Sequence, residues 1–186
     1  MTLLNNSNKK PVSLEVFSDN IDEMYKQGKI INTWAKNVYV KIPVVNTKGK
    51  FTGKIIKKLS YEKVKLNITA VYTFEQVKKI TNNLNKDTKA IISIFAGRMG
   101  DQLKNPIPIF KKSLKYTKKF KNIEILWAST RETYNYLEAK KLGCQIITMP
   151  PKIIDQVKGS NKSFKQLTID TVKGFYKDAQ DSYFKI

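Results

Sequence analysis

A lysine stands inside an apolar run, Val38-Tyr39-Val40-Lys41-Ile42-Pro43-Val44. An ammonium in such a run is costly unless it is paired or serves a function. Desolvation lowers a lysine pKa below its usual value of about 10.4. The neutral amine is the species that attacks a carbonyl to form a Schiff base. The alternative is a lysine that snorkels out at the end of its strand. Glu15, in Leu14-Glu15-Val16, lies on the preceding apolar run. Parallel neighbours would bring it beside Lys41, as a structural ion pair or as a carboxylate that holds a water and shuttles protons. Thr69, in Asn67-Ile68-Thr69-Ala70-Val71, offers a hydroxyl at the end of the next run. Asn67-Ile68-Thr69 also matches a glycosylation sequon, read here as chance in a buried strand.

The arginines are placed with similar economy. Of 35 cationic residues only Arg98 and Arg131 are not lysine. Arg98 follows one apolar run, in Ser93-Ile94-Phe95-Ala96-Gly97-Arg98, and Arg131 follows the next, in Ala128-Ser129-Thr130-Arg131. The planar guanidinium fork grips a phosphate in a way lysine cannot reproduce. Ser129 adds a hydroxyl donor, and the helix start at Arg131 adds amide donors. Two incidental surface arginines are the plain alternative.

Composition removes several chemistries. The 186 residues contain no histidine and one cysteine, Cys144. Ser-His and Cys-His catalysis are excluded, and a zinc site is not expected. Acid–base work falls to Glu, Asp, Lys, Tyr or water. No internal disulfide is possible, and no apolar stretch is long enough for a membrane span or a secretion signal, so a cytoplasmic protein is expected. The net charge of +20 suggests a polyanion partner. Yet the lysines are scattered along the whole chain and arginine is scarce, which argues against nucleic-acid readout. A lysine-biased genome explains the charge equally well.

Strands and helices alternate along the chain. Apolar runs over 12–17, 37–43, 65–71, 90–96, 123–128 and 144–149 read as strands. Helical spacing links Ile21 to Trp34, Ile55 to Leu59, Phe74 to Ile80, Ile109 to Phe120 and Arg131 to Lys141, with Gly143 at a C-cap position. Pro150 and Pro151 open a short helix. A polar break over 158–163 precedes a final helix, where Ile169, Val172, Phe175, Ala179 and Tyr183 share a face. The strands read as apolar on both faces, as in buried parallel sheets. No Gly-x-Gly-x-x-Gly or P-loop follows any strand, so a nucleotide-binding doubly wound sheet is disfavoured. The expected fold is α/β, a (β/α)8 TIM barrel incomplete at its N-terminus. One partial barrel over 1–186 is expected: a polar leader at 1–11, six βα units over 12–158, and a C-terminal helix over 164–186.

Taken in order, Glu15-Val16, Val40-Lys41-Ile42-Pro43, Asn67-Ile68-Thr69, Ser93-Ile94-Phe95-Ala96-Gly97-Arg98 and Ala128-Ser129-Thr130-Arg131 resemble the small transaldolases, relatives of fructose-6-phosphate aldolase. The resemblance runs from about Val12 to the C-terminus. It implies Lys41 as the Schiff-base lysine, Glu15 and Thr69 as residues that position the catalytic water, and Arg98, Ser129 and Arg131 as the sugar-phosphate grip. Phe95 stands where transaldolases carry Phe and fructose-6-phosphate aldolase carries Tyr. The implied reaction transfers a dihydroxyacetone unit between sugar phosphates, in the pentose phosphate pathway, with no metal or organic cofactor. Family members form rings or smaller oligomers, so self-association is expected.

The chain also departs from the family. The family's first two strands carry an Asp proton donor and acceptor and a Thr-x-Asn segment that binds the donor sugar. This chain begins at the third strand, and Met1–Pro11 contains neither motif. A truncated product, a misplaced start or a split gene would account for it. Three rival readings remain: aldolase-type cleavage, a non-catalytic remnant with exposed sheet edges, and a basic nucleic-acid-binding protein.

Overall fold

A computed structural model describes Ser7 and residues 10–182. The expected leader and Tyr183 lie largely or wholly outside the described residues. The residues group into two compact units, Met1–Met149 and Pro150–Ile186.

The first unit is a six-stranded sheet in the order β1-β2-β3-β4-β5-β6. The strands are β1 (Val12–Glu15), β2 (Val38–Pro43), β3 (Leu66–Val71), β4 (Ala90–Phe95), β5 (Ile123–Ala128) and β6 (Ile146–Ile147). Every neighbouring pair is parallel. Helices α1 (Ile21–Asn32), α2 (Gly53–Tyr61), α3 (Phe74–Thr81), α4 (Ala96–Gly100), α5 (Ile107–Thr117) and α6 (Tyr134–Leu142) fall between the strands. Local chemistry sets their ends. The Asn20 side chain accepts from the amides of Asp22 and Glu23 at the start of α1. Thr73 and Gln76 make a reciprocal capping box at α3. Gly143, with φ of 78°, ends α6 in the left-handed region that glycine enters freely.

Side chains alternate between two faces of the sheet. One face carries Val40, Ile42, Leu66, Ile68, Ile92, Ile94, Ile125 and Trp127, packed in one cluster with Met24, Ile56, Leu59, Ile80 and Phe110 of the helices. Within it the rings of Phe110 and Trp127 stack at 4.5 Å. This layer is the principal core, and its burial is the main source of stability.

The other face corrects the expectation of strands apolar on both sides. Only Tyr39, Ile91, Leu126 and Ala128 form a small buried cluster there, flanked by Phe95 and Ile146. Polar residues interrupt it: Ser13, Lys41, Asn67, Thr69 and Ser93 line the same cleft. Asn67 Nδ2 donates to Ser13 Oγ at 2.9 Å, from β3 to β1, across β2. In a flat sheet such alternate strands lie roughly 9.5 Å apart. The face is therefore strongly concave, as the inside of a barrel must be. The first unit is a curled part of an α/β TIM barrel, with β1 and β6 as its edge strands.

Two elements differ from expectation. The sixth strand is only Ile146–Ile147 rather than 144–149, and it pairs with β5 at Leu126 and Trp127. Helix α6 starts at Tyr134 rather than at Arg131, which lies in the preceding loop; Arg98 sits in the five-residue helix α4 directly after β4.

The second unit contains α7 (Pro151–Lys158) and α8 (Phe164–Asp181). Pro150 precedes the first and Ser163 caps the second by accepting from the Gln166 amide. Among the described residues, no helix is long and apolar enough to cross a membrane.

Candidate active site

Parallel pairing puts Glu15 in register with Lys41, and Lys41 in register with Asn67. Three polar side chains thus share one row of the concave face. Lys41 Nζ lies 2.9 Å from Glu15 Oε2, and the lysine side chain is 29% exposed. The Lys41 side chain is thus partly open rather than sealed among apolar neighbours. Every second residue of β2 faces an open, partly polar interior, so Lys41 is ion-paired and reachable from solvent.

Asn67 links the row to its neighbours. Its Nδ2 donates to Ser13, and its Oδ1 accepts from Ser93 Oγ at 2.7 Å. These two bonds fix the Asn67 side chain between β1 and β4. Thr69 is buried, 2% exposed, and its hydroxyl has no hydrogen-bond partner among the described residues. The chain bends beside it: Ala70 has φ of 58°, and the β3–β4 register shifts between Ile68 and Val71. Lys41, Asn67, Thr69, Ser93, Phe95 and Ser129 line one cleft of about 550 Å³.

The loop after β5 is held by close backbone packing. Ser129 has φ of 65°, a left-handed conformation uncommon for a residue with a side chain. Its carbonyl oxygen lies against Gly97, where a β-carbon would approach to 1.6 Å. Only glycine fits there. The Thr130 hydroxyl donates to the Thr148 carbonyl at 2.7 Å and anchors the same loop.

The arginines line a second cleft. Tyr72, Arg98, Asp101, Gln102, Lys104 and Arg131 surround a volume of about 610 Å³. Arg131 donates from Nε and Nη2 to Asp101 Oδ2, at 3.1 and 2.7 Å. Asp101 hydrogen bonding and charge raise the Arg131 pKa above its already high ordinary value. Arg98 Cζ lies 5.4 Å from the centre of the Phe95 ring, and the Tyr72 ring lies 5.9 Å from the same ring. Phe95 therefore belongs to the lysine cleft and touches the wall of the arginine cleft. Lys41 and the two arginines thus line two clefts that flank one aromatic pair.

Sequence reasoning passed over Ser13, Asn67, Ser93, Tyr72 and Asp101. The first three carry a usable signal: they alternate with core residues in the same phase as Lys41, once the strands are aligned. Tyr72 and Asp101 carry none that local pattern reveals. Among the described residues, no three His, Cys, Asp or Glu side chains come together as a metal site.

An incomplete α/β barrel with an ion-paired lysine on its concave face, and with two arginines after consecutive strands, defines a class of protein, and comparison supplies the family. The whole chain, residues 1–186, matches the transaldolase/fructose-6-phosphate aldolase family, and it belongs to that family. It is 31% identical over 149 residues to a "Probable transaldolase" of Caldicellulosiruptor saccharolyticus, covering 79% of this chain and 65% of that protein. It is 28% identical over 148 residues to a "Probable transaldolase" of Herpetosiphon aurantiacus, covering 79% of this chain and 63% of that one. A "Probable transaldolase 2" of Listeria monocytogenes is 30% identical over 169 residues, covering 90% of this chain and 72% of the relative. The match thus takes in slightly less than two thirds of the first two relatives.

Proposed function

We propose that this chain performs Schiff-base aldol chemistry on sugar phosphates, as a transaldolase of the cytoplasmic pentose phosphate pathway. The observation that carries the reading is the Lys41–Glu15 pair, 2.9 Å apart on the concave face, in a family of aldol-transferring enzymes. Glu15 takes a proton from the Lys41 ammonium, and the free amine attacks the ketone carbon of a ketose phosphate. Water leaves with the proton that Glu15 took, and the iminium ion draws electrons from the C3–C4 bond as the C4 hydroxyl gives its proton back to the Glu15 carboxylate. Cleavage releases an aldose phosphate and leaves a three-carbon enamine on Lys41. The enamine adds to an acceptor aldehyde, and water then frees the product. Glu15 and the unpartnered Thr69 hydroxyl hold that water.

Arg98 and Arg131 take the phosphate, with Ser129 as a further donor. Binding energy from this remote group orients the carbonyl toward the amine. Phe95, beside Arg98, supplies no hydroxyl, which favours transfer over simple cleavage to free dihydroxyacetone. The test incubates the chain with a ketose phosphate, with and without an acceptor aldose phosphate. Product formed only with acceptor supports transfer. Free dihydroxyacetone without acceptor identifies aldolase-type cleavage. Neither product under either condition overturns the reading.

A further inference from the structure

Charge also gathers at the opposite end of the strands, away from the lysine–arginine site. Lys36 precedes β2, Lys65 precedes β3 and Lys89 precedes β4. With Pro11, Asn37 and Tyr39 they line a cleft of about 550 Å³. The sheet ladder continues through two of them: the Val40 amide donates to the Lys65 carbonyl at 2.8 Å, and the Leu66 amide donates to the Lys89 carbonyl at 3.3 Å. Lys65 and Lys89 are thus neighbours on adjacent strands, in the phase that faces the barrel interior. Like charges at adjacent positions repel.

Among the described residues, no carboxylate lies within ion-pair distance of Lys36, Lys65 or Lys89. The Lys65 ammonium donates to the Lys36 carbonyl and sits 5.3 Å from the Tyr39 ring centre. It is half-buried, and burial together with nearby Lys89 pushes its pKa down. Glu124 is the acidic residue felt here: burial first, then Glu124, pushes the Tyr39 phenol up. One carboxylate does not balance three ammoniums.

We propose that this cleft binds a small, multiply charged phosphate anion, held by Lys65 and Lys89 with Lys36 at the rim. Its size fits a compact ligand. The charges converge between strand ends, whereas a nucleic-acid backbone is tracked by an extended stripe or groove. Lysine grips phosphate as a point charge and needs no planar fork. The proposal is independent of the transaldolase reading, because none of its residues lines the Lys41 cleft except Pro11 at the rim.

Pyrophosphate titrated calorimetrically is the probe. The chain carries a net charge of +20, so the control must remove the same charge elsewhere. Lys65→Gln with Lys89→Gln is compared with Lys111→Gln with Lys112→Gln on α5. The expected result is one pyrophosphate per chain, weakened at least about tenfold in the first pair, the scale of one lost charge-assisted hydrogen bond, and left nearly unchanged in the second. Lys89→Gln alone, at an exposed position, gives the same direction if the pair does not fold. Equal weakening in both pairs overturns the proposal, as does binding of an oligonucleotide without binding of pyrophosphate.

Discussion

The Ser129 carbonyl oxygen occupies the space in which a side chain at Gly97 would begin, 1.6 Å from an ideal β-carbon. Gly97 starts the turn that carries Arg98, and Ser129 starts the loop that carries Arg131. One backbone contact therefore sets the spacing of both guanidinium-bearing segments. Gly97→Ala must push them apart. The expected cost is about 1–3 kcal/mol, typical of overpacking, measured by urea denaturation, with weakened sugar-phosphate binding beyond that loss.

Glu15→Gln separates chemistry from stability. The Glu15–Lys41 pair is partly exposed, so its loss changes stability by only about 0–1 kcal/mol. Loss of the proton acceptor lowers the rate of Schiff-base formation by about 10²-fold or more. Denaturation and single-turnover kinetics on the same variant give the two numbers. A rate loss no larger than the stability change would reduce Glu15 to a structural partner.

Arg131→Lys keeps a positive charge but removes the fork that Asp101 orients through Nε and Nη2. KM for phosphorylated ketoses is expected to rise about tenfold, the scale of one charged hydrogen bond. Unphosphorylated dihydroxyacetone should react as well as before. A matching loss on both substrates would move Arg131 from phosphate binding to fold maintenance.

Cys144 gives a pH signature. Burial pushes its thiol from 9.0 up to about 12. The folded chain holds this proton where an unfolded chain has released it. The contribution to stability is complete below about pH 9 and is lost as the pH rises from 9 toward 12. At pH 8, alkylation by iodoacetamide should be about 10³-fold slower in the folded chain than in urea, following the thiolate fraction. Rapid alkylation of the folded chain would contradict the burial.

The order of strands and helices is legible in the sequence because parallel strands and helix caps leave local marks. Asn20, Thr73, Gly143 and Ser163 each stand at a helix boundary. The adjacency of Glu15 and Lys41 also follows from strand order. The polar lining of the interior is less visible. Ser13, Asn67 and Ser93 sit singly among apolar residues, and their hydrogen bonds join strands more than twenty residues apart. The division into two clefts is not legible at all. It depends on α4 turning Arg98 over Phe95 and on Asp101 holding Arg131 from thirty positions away. Such contacts exist only once the sheet has curled.

The most direct measurement is borohydride reduction of the chain during incubation with a ketose phosphate, followed by mass analysis of its peptides. The expected result is a reduced three-carbon unit added to the peptide containing Lys41 and absent from Lys41→Met. An unmodified chain, or an adduct on another lysine that persists in Lys41→Met, would contradict the proposed role of this residue.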